Sequence, residues 1–236
     1  MKPRQIPWKW LLFGLTLLLL AGLALLPRQW GDSSLLAKRV TDSLSAWSGG
    51  QVRLTGPLRV SYFPDVAVRS GFELENAARL PLIKSIKAED ARISLDLPEL
   101  IFGRIRIDAM RLIRPELALK DAPTLVTGPD HTLQARVANL LGGAPIGVVR
   151  IRGGTLRIPT SSGGEEIKKI DVRIDASGGG GAVSTAGSFQ LRGETVRFAL
   201  DCGVAEAGAE GLRIPIKLKV NSEPLTAKVA GAVSLD

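Results

Sequence analysis

The sequence predicts a mainly β protein, in which an N-terminal transmembrane helix precedes an antiparallel, curved or groove-like sheet with two short amphipathic helices. Two observations carry this fold class. An apolar run occupies residues 11–26 almost without interruption, and beyond Gln51 hydrophobic residues alternate with polar ones through most of the chain. Alternation with a period of two indicates strands that have one apolar face and one face in water.

The apolar run predicts a membrane-spanning helix over residues 8–28. It approaches the length of about 20 residues that crosses the hydrocarbon core, and Trp8 and Trp30 flank it as interfacial aromatic residues do. Positive charges concentrate before it, so residues 1–7 should stay in the cytoplasm. A cleaved signal peptide is the competing interpretation, because Gly22-Leu23-Ala24 offers small residues at a cleavage site. Both interpretations place the rest of the chain outside the cytoplasm.

The first amphipathic helix is predicted shortly after the anchor. Asp32, Ser33 and Ser34 are N-cap candidates, and the pair Gly49-Gly50 ends the helical pattern. The apolar positions recur at helical spacing and comprise Leu36, Val40, Leu44 and Trp47. We expect this helix to lie on the domain or on the membrane surface.

A second amphipathic helix is predicted from Asp130 to Gly142-Gly143. At a constant difference in residue number, residues of the second helix and of the strand after it match residues of the first helix and its strand. Chance similarity explains this correspondence as well as a true repeat does. It nevertheless favours two consecutive helix-plus-sheet modules, at residues 29–125 and 126–236.

Four segments alternate most strictly and define the predicted apolar face of the sheet. Their hydrophobic residues are Ile93, Leu95, Leu97, Ile105, Ile107, Ile170, Val172, Ile174, Ile214, Ile216 and Leu218. Turn signals separate the strands at roughly 8- to 15-residue spacing, which favours hairpins and a meander over parallel crossovers. The polar face is rich in arginine and lysine.

The scarcity of reactive side chains excludes several classes of function. With one cysteine, Cys202, and one histidine, His131, the chain cannot form an internal disulfide or a zinc site of nitrogen and sulfur ligands. We expect Cys202 to be a small core residue and His131 to lie at the surface or cap a helix. No catalytic acid–base pair or phosphate loop is recognised. The sequence therefore predicts a protein without enzymatic activity, cofactor or metal.

The formal net charge of +8 bears on the choice of partners. It is spread along the chain without a block of like charge, although a positive surplus favours anionic lipid headgroups. Only 5% of the residues are aromatic and no recognition motif is present, so nucleic acid is not an expected partner.

Six segments resemble the bacterial AsmA-like proteins, and two of them are residues 75–77 and 86–95. Residues 50–68 are similar to the start of that family, and residues 149–158 are similar to a later hairpin. The likeness is strongest at residues 98–107, where a leucine-rich turn with glycine leads into a strand, and at residues 112–117, a strand that contains proline. The matched features are glycine, proline and alternation, and they extend over nearly the whole chain.

The resemblance implies a location and a general role. It implies a single-pass inner-membrane protein of a Gram-negative bacterium, with the bulk of the chain in the periplasm and a connection with outer-membrane assembly. The wider group is related to bridge-like lipid-transfer proteins, whose curved sheets form an apolar trough for acyl chains. Full members are considerably longer, so we expect a truncated or short member.

Three uses of the sheet follow from the sequence. If the apolar face stays open, the eleven alternating residues given above would line a surface for phospholipid, and the protein would bind or transfer lipid. If other elements cover that face, the same residues form an ordinary core and the protein is a scaffold that contacts envelope proteins. The third hypothesis is a module that binds cell-wall polymer on its basic face, through Arg104 and Arg106.

Overall fold

The computed structural model describes residues 33–235 except 81, 121–145, 161–162, 177–181, 205, 209–210 and 224–225. The predicted cytoplasmic end, the membrane anchor and the second amphipathic helix lie outside the described residues. Within these ranges no helix combines the length and the hydropathy needed to span a bilayer.

The described residues form two helices and twelve strands, so the predicted mainly β character is confirmed. The helices are α1 (Ser33–Ser48) and α2 (Leu97–Ile101). The strands, in chain order, are β1 (Gln51–Ser61), β2 (Ala67–Glu75), β3 (Ile83–Leu95), β4 (Ile107–Ile113), β5 (Glu116–Leu119), β6 (Ile146–Thr160), β7 (Gly163–Asp175), β8 (Val183–Leu191), β9 (Glu194–Cys202), β10 (Glu206–Gly208), β11 (Gly211–Asn221) and β12 (Thr226–Leu235).

All twelve strands belong to one sheet. The path runs from β1 through β2, β3, β4, β6, β7, β8 and β9 to β11. Strand β5 follows β4 along the chain and continues its place between β3 and β6, and β12 pairs with β11 on the side away from β9. Strands from both predicted modules are therefore continuous in a single sheet.

The sheet is antiparallel with one exception. Strands β4 and β5 pair with β6 in parallel, whereas every other described pair is antiparallel. A parallel pair needs a connection of a dozen or more residues, and the chain between Leu119 and Ile146 is long enough to supply it. The expectation of a purely antiparallel meander was therefore wrong at this one junction.

Helix α1 confirms the first predicted amphipathic helix. Leu36, Val40 and Leu44 are at most 5% exposed and pack against the sheet, as their spacing on one face predicts. Gly49 directly follows the helix and terminates it, since its φ of 64° lies in the left-handed region that glycine adopts without strain. The amide of Gly49 donates to the carbonyl of Ser45 at 2.9 Å, which satisfies one carbonyl of the last turn.

Helix α2 corrects the prediction that Leu97 continues a strand. Asp96 is the N-cap, and its carboxylate accepts a hydrogen bond from the amide of Glu99 at 3.4 Å. Pro98 occupies the first turn, where its missing N–H costs nothing. These two residues end β3 and turn Leu97 outward, where it is 47% exposed, while Leu100 is buried.

The predicted strand around Ile105 also begins later than expected. Strand β4 starts at Ile107, which is fully buried. Ile105 precedes the strand and packs against the core from a partly buried position. Of residues 104–107, in which isoleucine and arginine alternate, only Ile107 therefore belongs to a strand.

One row of directly paired residues crosses ten strands and shows how burial varies along the sheet. The row consists of Val60, Val68, Ile93, Met110, Val149, Ile174, Thr185, Leu200, Leu218 and Val229. Val68 and Ile93 are fully buried, Ile174 is half-buried, and Val229 is 61% exposed. The same face is thus a closed core at one end and open at the other, among the described residues.

The gradient of burial predicts that a valine-to-alanine substitution lowers the free energy of unfolding more at the buried part of this row than at its exposed end. We expect Val68→Ala to lower the free energy of unfolding by about 2 kcal/mol, because it removes two buried carbons and leaves a cavity. Val229→Ala is the matched control and should change it by less than about 0.5 kcal/mol. Urea unfolding of the full chain in mild detergent measures both. Equal losses would contradict the proposed gradient.

Candidate functional site

The apolar face of the sheet is covered at one end only, within the described part of the chain. Helix α1 packs there in one cluster with buried residues of β1 to β4, among them Val68 and Ile93. The cluster reaches as far as Ile146 at the start of β6. Beyond β6, Val183 is the one apolar residue that is buried among the described residues, and it is 6% exposed. The remainder of the face is half-buried or exposed.

The eleven residues predicted to line a lipid surface therefore fall into three groups. Ile93, Leu95 and Ile107 belong to the closed core, where a ligand cannot reach them without unfolding. Leu97 lies outside the strands, and Ile105 precedes one. The six residues on β7 and β11 are half-buried, and they comprise Ile170, Val172, Ile174, Ile214, Ile216 and Leu218.

Strands β8 and β9 lie between β7 and β11, and their pairing brings the half-buried residues of β7 and β11 onto one surface. Val172 is followed across the sheet by Gly187, Phe198 and Val220, which are paired in turn. Ile174 is followed in the adjacent row by Thr185, Leu200 and Leu218. We call this region the open apolar surface; it comprises Val172, Ile174, Phe198, Leu200, Ile216, Leu218 and Val220.

Strand β9 contributes residues that the sequence-based prediction left out of the lipid surface. Phe198 and Leu200 are half-buried, and the ring of Phe198 lies 6.0 Å from that of Phe189 on β8. Val196, Phe198 and Leu200 alternate with charged or small residues, so the signal was present in a short run. Their place beside Val172 and Leu218 emerges only from strand pairing.

Cys202 lies at the end of β9 on the same face. It is half-buried between Val183 and Ile216, to which it is directly paired. Partial burial, together with the negative charge of Asp201, raises the pKa of its thiol. A raised pKa disfavours the reactive thiolate. Cys202 is therefore a half-buried residue on the apolar face and not the core residue that the sequence predicted.

The opposite face carries an uninterrupted row of arginines. Six directly paired residues on β1, β2, β3, β4, β6 and β7 form this arginine row, namely Arg59, Arg69, Arg92, Arg111, Arg150 and Arg173. Like charges directly opposite each other destabilise a sheet. The sequence shows a polar face rich in arginine, but the alignment of the arginines depends on register and was not predicted.

Carboxylates compensate three of the six arginines. Arg69 donates to both carboxylate oxygens of Asp90, at 2.7 and 2.6 Å, and Arg173 pairs with Asp175 at 2.7 Å. The hydrogen bond and charge of Arg69 hold the pKa of Asp90 below its ordinary value. Bidentate geometry of this kind is the strongest that an exposed ion pair adopts.

Arg92 is compensated by Asp65 from the turn between β1 and β2. The carboxylate of Asp65 accepts hydrogen bonds from the hydroxyl of Ser94 at 2.7 Å and from the guanidinium of Arg92. The Ser94 hydroxyl and then the Arg92 guanidinium hold the pKa of Asp65 below its ordinary value, against the opposing effect of partial burial. This turn therefore folds over the polar face beside the arginine row.

Arg59, Arg111 and Arg150 have no ion pair or side-chain hydrogen bond with any residue that the structure describes. Arg111 and Arg150 are direct partners in the parallel pair of β4 and β6. They line a cleft of about 350 Å³ on the polar face. Its charged and hydroxyl-bearing lining comprises Asp65, Arg92, Ser94, Asp108, Arg111 and Arg150.

The residues named for the cell-wall hypothesis lie elsewhere. Arg104 pairs with Glu99 of α2 at 2.6 Å, and its guanidinium lies 6.0 Å from the centre of the Phe102 ring. Arg106 is exposed in the segment before β4. Neither residue belongs to the arginine row. No group of three or more potential metal ligands occurs in the ranges that the structure describes.

The ion pair of Asp65 predicts a dependence of stability on pH. Because its pKa is lowered on folding, ionised Asp65 stabilises the fold above its ordinary pKa of 3.8, and this contribution is lost as the pH falls through the lower folded-state value. We expect Asp65→Asn to reduce the free energy of unfolding by up to about 1 kcal/mol at pH 7. The difference from wild type should shrink below pH 3.8.

Urea unfolding at several pH values measures this difference. The matched control is Asp108→Asn, which lines the same cleft but has no ion pair with a described residue. A difference between wild type and Asp65→Asn that stays constant from neutral to acid pH would contradict the assignment.

Comparison with protein families, curated proteins and solved structures finds no match to this chain. The AsmA-like resemblance therefore remains a prediction from the sequence. Two features of the fold bear on function: the open apolar surface and the arginine row on the reverse of the same sheet.

Proposed function

We propose that this chain is a membrane-anchored, non-enzymatic periplasmic protein of the AsmA type that binds phospholipid on its open apolar surface and serves envelope assembly. The observation that supports the proposal is the gradient of burial along one apolar row, from fully buried Ile93 to 61% exposed Val229. A face built only to close a core would bury the row throughout. Here the apolar pattern continues beyond the buried cluster.

The energetics of acyl binding favour this use. Covering apolar surface contributes about 0.8 kcal/mol for each buried methylene, so five methylenes laid on the surface would contribute about 4 kcal/mol before the entropic cost of binding. Val172, Ile174 and Leu218 are already half-buried by their neighbours. They form a shallow surface that contacts one side of an acyl chain.

The dimensions of the surface are also suitable. The apolar rows cross β6, β7, β8, β9, β11 and β12. Strands lie about 4.8 Å apart, so five intervals span about 24 Å. One leaflet of the hydrocarbon core is about 15 Å thick, being half of a bilayer core of about 30 Å. An acyl chain from such a leaflet fits along the row.

Site-specific photocrosslinking tests this proposal. We expect a photoreactive residue at Ile174 or Leu218 to label phospholipid in membranes that contain the full chain. The same residue at Lys219, the polar neighbour of Leu218 on β11, is the matched control and should label little lipid. A probe at Ile93 should also stay unlabelled, because Ile93 is sealed in the core.

Substitution provides a second readout for the same proposal. We expect the double variant Ile174→Asn and Leu218→Asn to retain about tenfold less phospholipid after purification in mild detergent, measured by mass spectrometry. Lys219→Asn should retain as much as wild type. Circular dichroism establishes that each variant is folded. Absence of both retained phospholipid and lipid crosslinks at Ile174 and Leu218 would refute lipid binding.

The alternative function is a non-enzymatic scaffold that influences outer-membrane protein assembly. The observation that favours it is strand β12, which among the described residues pairs with β11 alone and carries the exposed side chain of Val229. An exposed strand edge can accept a strand from another protein. The photocrosslinks distinguish the two functions. If the protein is a scaffold, adducts at Ile174 and Leu218 would have the mass of a protein, whereas lipid binding would give adducts with the mass of a phospholipid.

A further inference from the structure

The arginine row contains two adjacent arginines without a described carboxylate partner. Of its six members, Arg69, Arg92 and Arg173 have carboxylate partners, and Arg59 lies at the outer strand β1. Arg111 and Arg150 are direct neighbours on two interior strands without a described ion-pair partner. Repulsion between two adjacent guanidinium groups disfavours the empty arrangement and favours an anion that contacts both.

The cleft beside these two arginines has room for a small anion. Its volume is about 350 Å³, at the lower end of the range of ligand pockets. Asp65 also lines it, but its carboxylate is engaged by Arg92 and Ser94. Asp108 is the remaining acid in the lining, so the two guanidinium groups leave a net positive charge.

The chemistry of guanidinium selects the ligand class. Its planar fork donates two parallel hydrogen bonds to phosphate or carboxylate oxygens. A phosphate group with a charge of about −1.5 to −2 offsets two arginines at once, whereas a carboxylate offsets one. We propose that the cleft over Arg111 and Arg150 is a phosphate-binding site, in which both guanidinium groups donate to the oxygens of one phosphate group.

This site is separate from the proposed lipid surface. Strand β4 lies between β3 and β6, and β6 lies between β4 and β7, so neither strand is an edge at this point. A lipid whose acyl chains lie on the apolar face cannot pass through the sheet to reach Arg111. Phosphate binding therefore does not rest on the function proposed above, and the two can fail independently.

Sheet twist favours a single phosphate group over a flat charged surface. Adjacent strands rotate by about 20 to 25°, so the five intervals from Arg59 to Arg173 turn the row by roughly 100 to 125°. A planar bilayer surface would face only part of such a row. Arg111 and Arg150, on adjacent strands, still point toward one common region.

Titration of the full chain with inorganic phosphate tests the site. Isothermal titration calorimetry in mild detergent, with chloride at equal ionic strength as the reference, should show saturable binding. We expect Arg111→Gln and Arg150→Gln each to weaken it at least tenfold. Arg59→Gln removes an arginine of the same row that also lacks a described partner, and should change the affinity less than twofold. Arg150→Lys keeps the charge but loses the fork, so it should also weaken binding.

A second ligand determines whether the site binds the phosphate of a lipid headgroup or that of a soluble molecule. Short-chain phosphatidylglycerol, used below its micellar concentration, presents a phosphodiester headgroup. Binding as tight as that of inorganic phosphate, with the same loss in Arg111→Gln and Arg150→Gln, would indicate a lipid headgroup. Binding of inorganic phosphate alone would indicate a free phosphate or a phosphomonoester. Absence of saturable binding, or an equal loss in Arg59→Gln, would overturn the proposal.

Discussion

The register between neighbouring strands is the constraint on which the two faces depend. Side chains alternate between the faces, so a shift by one residue moves every side chain of a strand to the other face. In this sheet Ile93 pairs with Met110, and its neighbour Arg92 pairs with Arg111. The apolar row and the arginine row are therefore products of the same pairing, one residue apart along each strand.

A buried cluster at the first strands marks where this apolar face becomes a core. Helix α1 and Leu100 of α2 contribute to it, and its buried residues end at the beginning of β6. Burial of apolar area is the main favourable contribution to folding, so the covered end should hold most of the stability in the described part of the chain. The later strands are held mainly by their ladders and by half-buried side chains such as Val172 and Leu218. A surface that exchanges ligand is better built on such a region than on a sealed core.

Sequence patterns predicted the local structure well and the long-range pairing poorly. The spacing of Leu36, Val40 and Leu44 was sufficient for α1, because a helix is defined by neighbours along the chain. The alternation on β7 and β11 correctly predicted strands, with Ile174 and Leu218 among the residues of one apolar face. Leu97 was misplaced because the capping signal of Asp96 and Pro98 outweighed the continuing alternation. The parallel pairing of β4 with β6, the role of β9 and the arginine row depend on partners far apart in sequence, which a single-chain period does not specify.

The arginine row carries an energetic cost that the fold offsets only in part. Asp90 and Asp175 each lie two residues along their strand from the row, on the same face, and pair with Arg69 and Arg173, which converts repulsion into short ion pairs. Those pairs are exposed, so each contributes little to stability beyond cancelling the repulsion. No carboxylate of the described residues forms an ion pair with Arg111 or Arg150, although Asp108 lines the same cleft. Arg59 also lacks a described partner, but its neighbour in the row, Arg69, is paired with Asp90. An anion that binds at Arg111 and Arg150 supplies the compensation that carboxylates provide at the paired positions, and this is why these two adjacent arginines are the part of the row suited to a ligand.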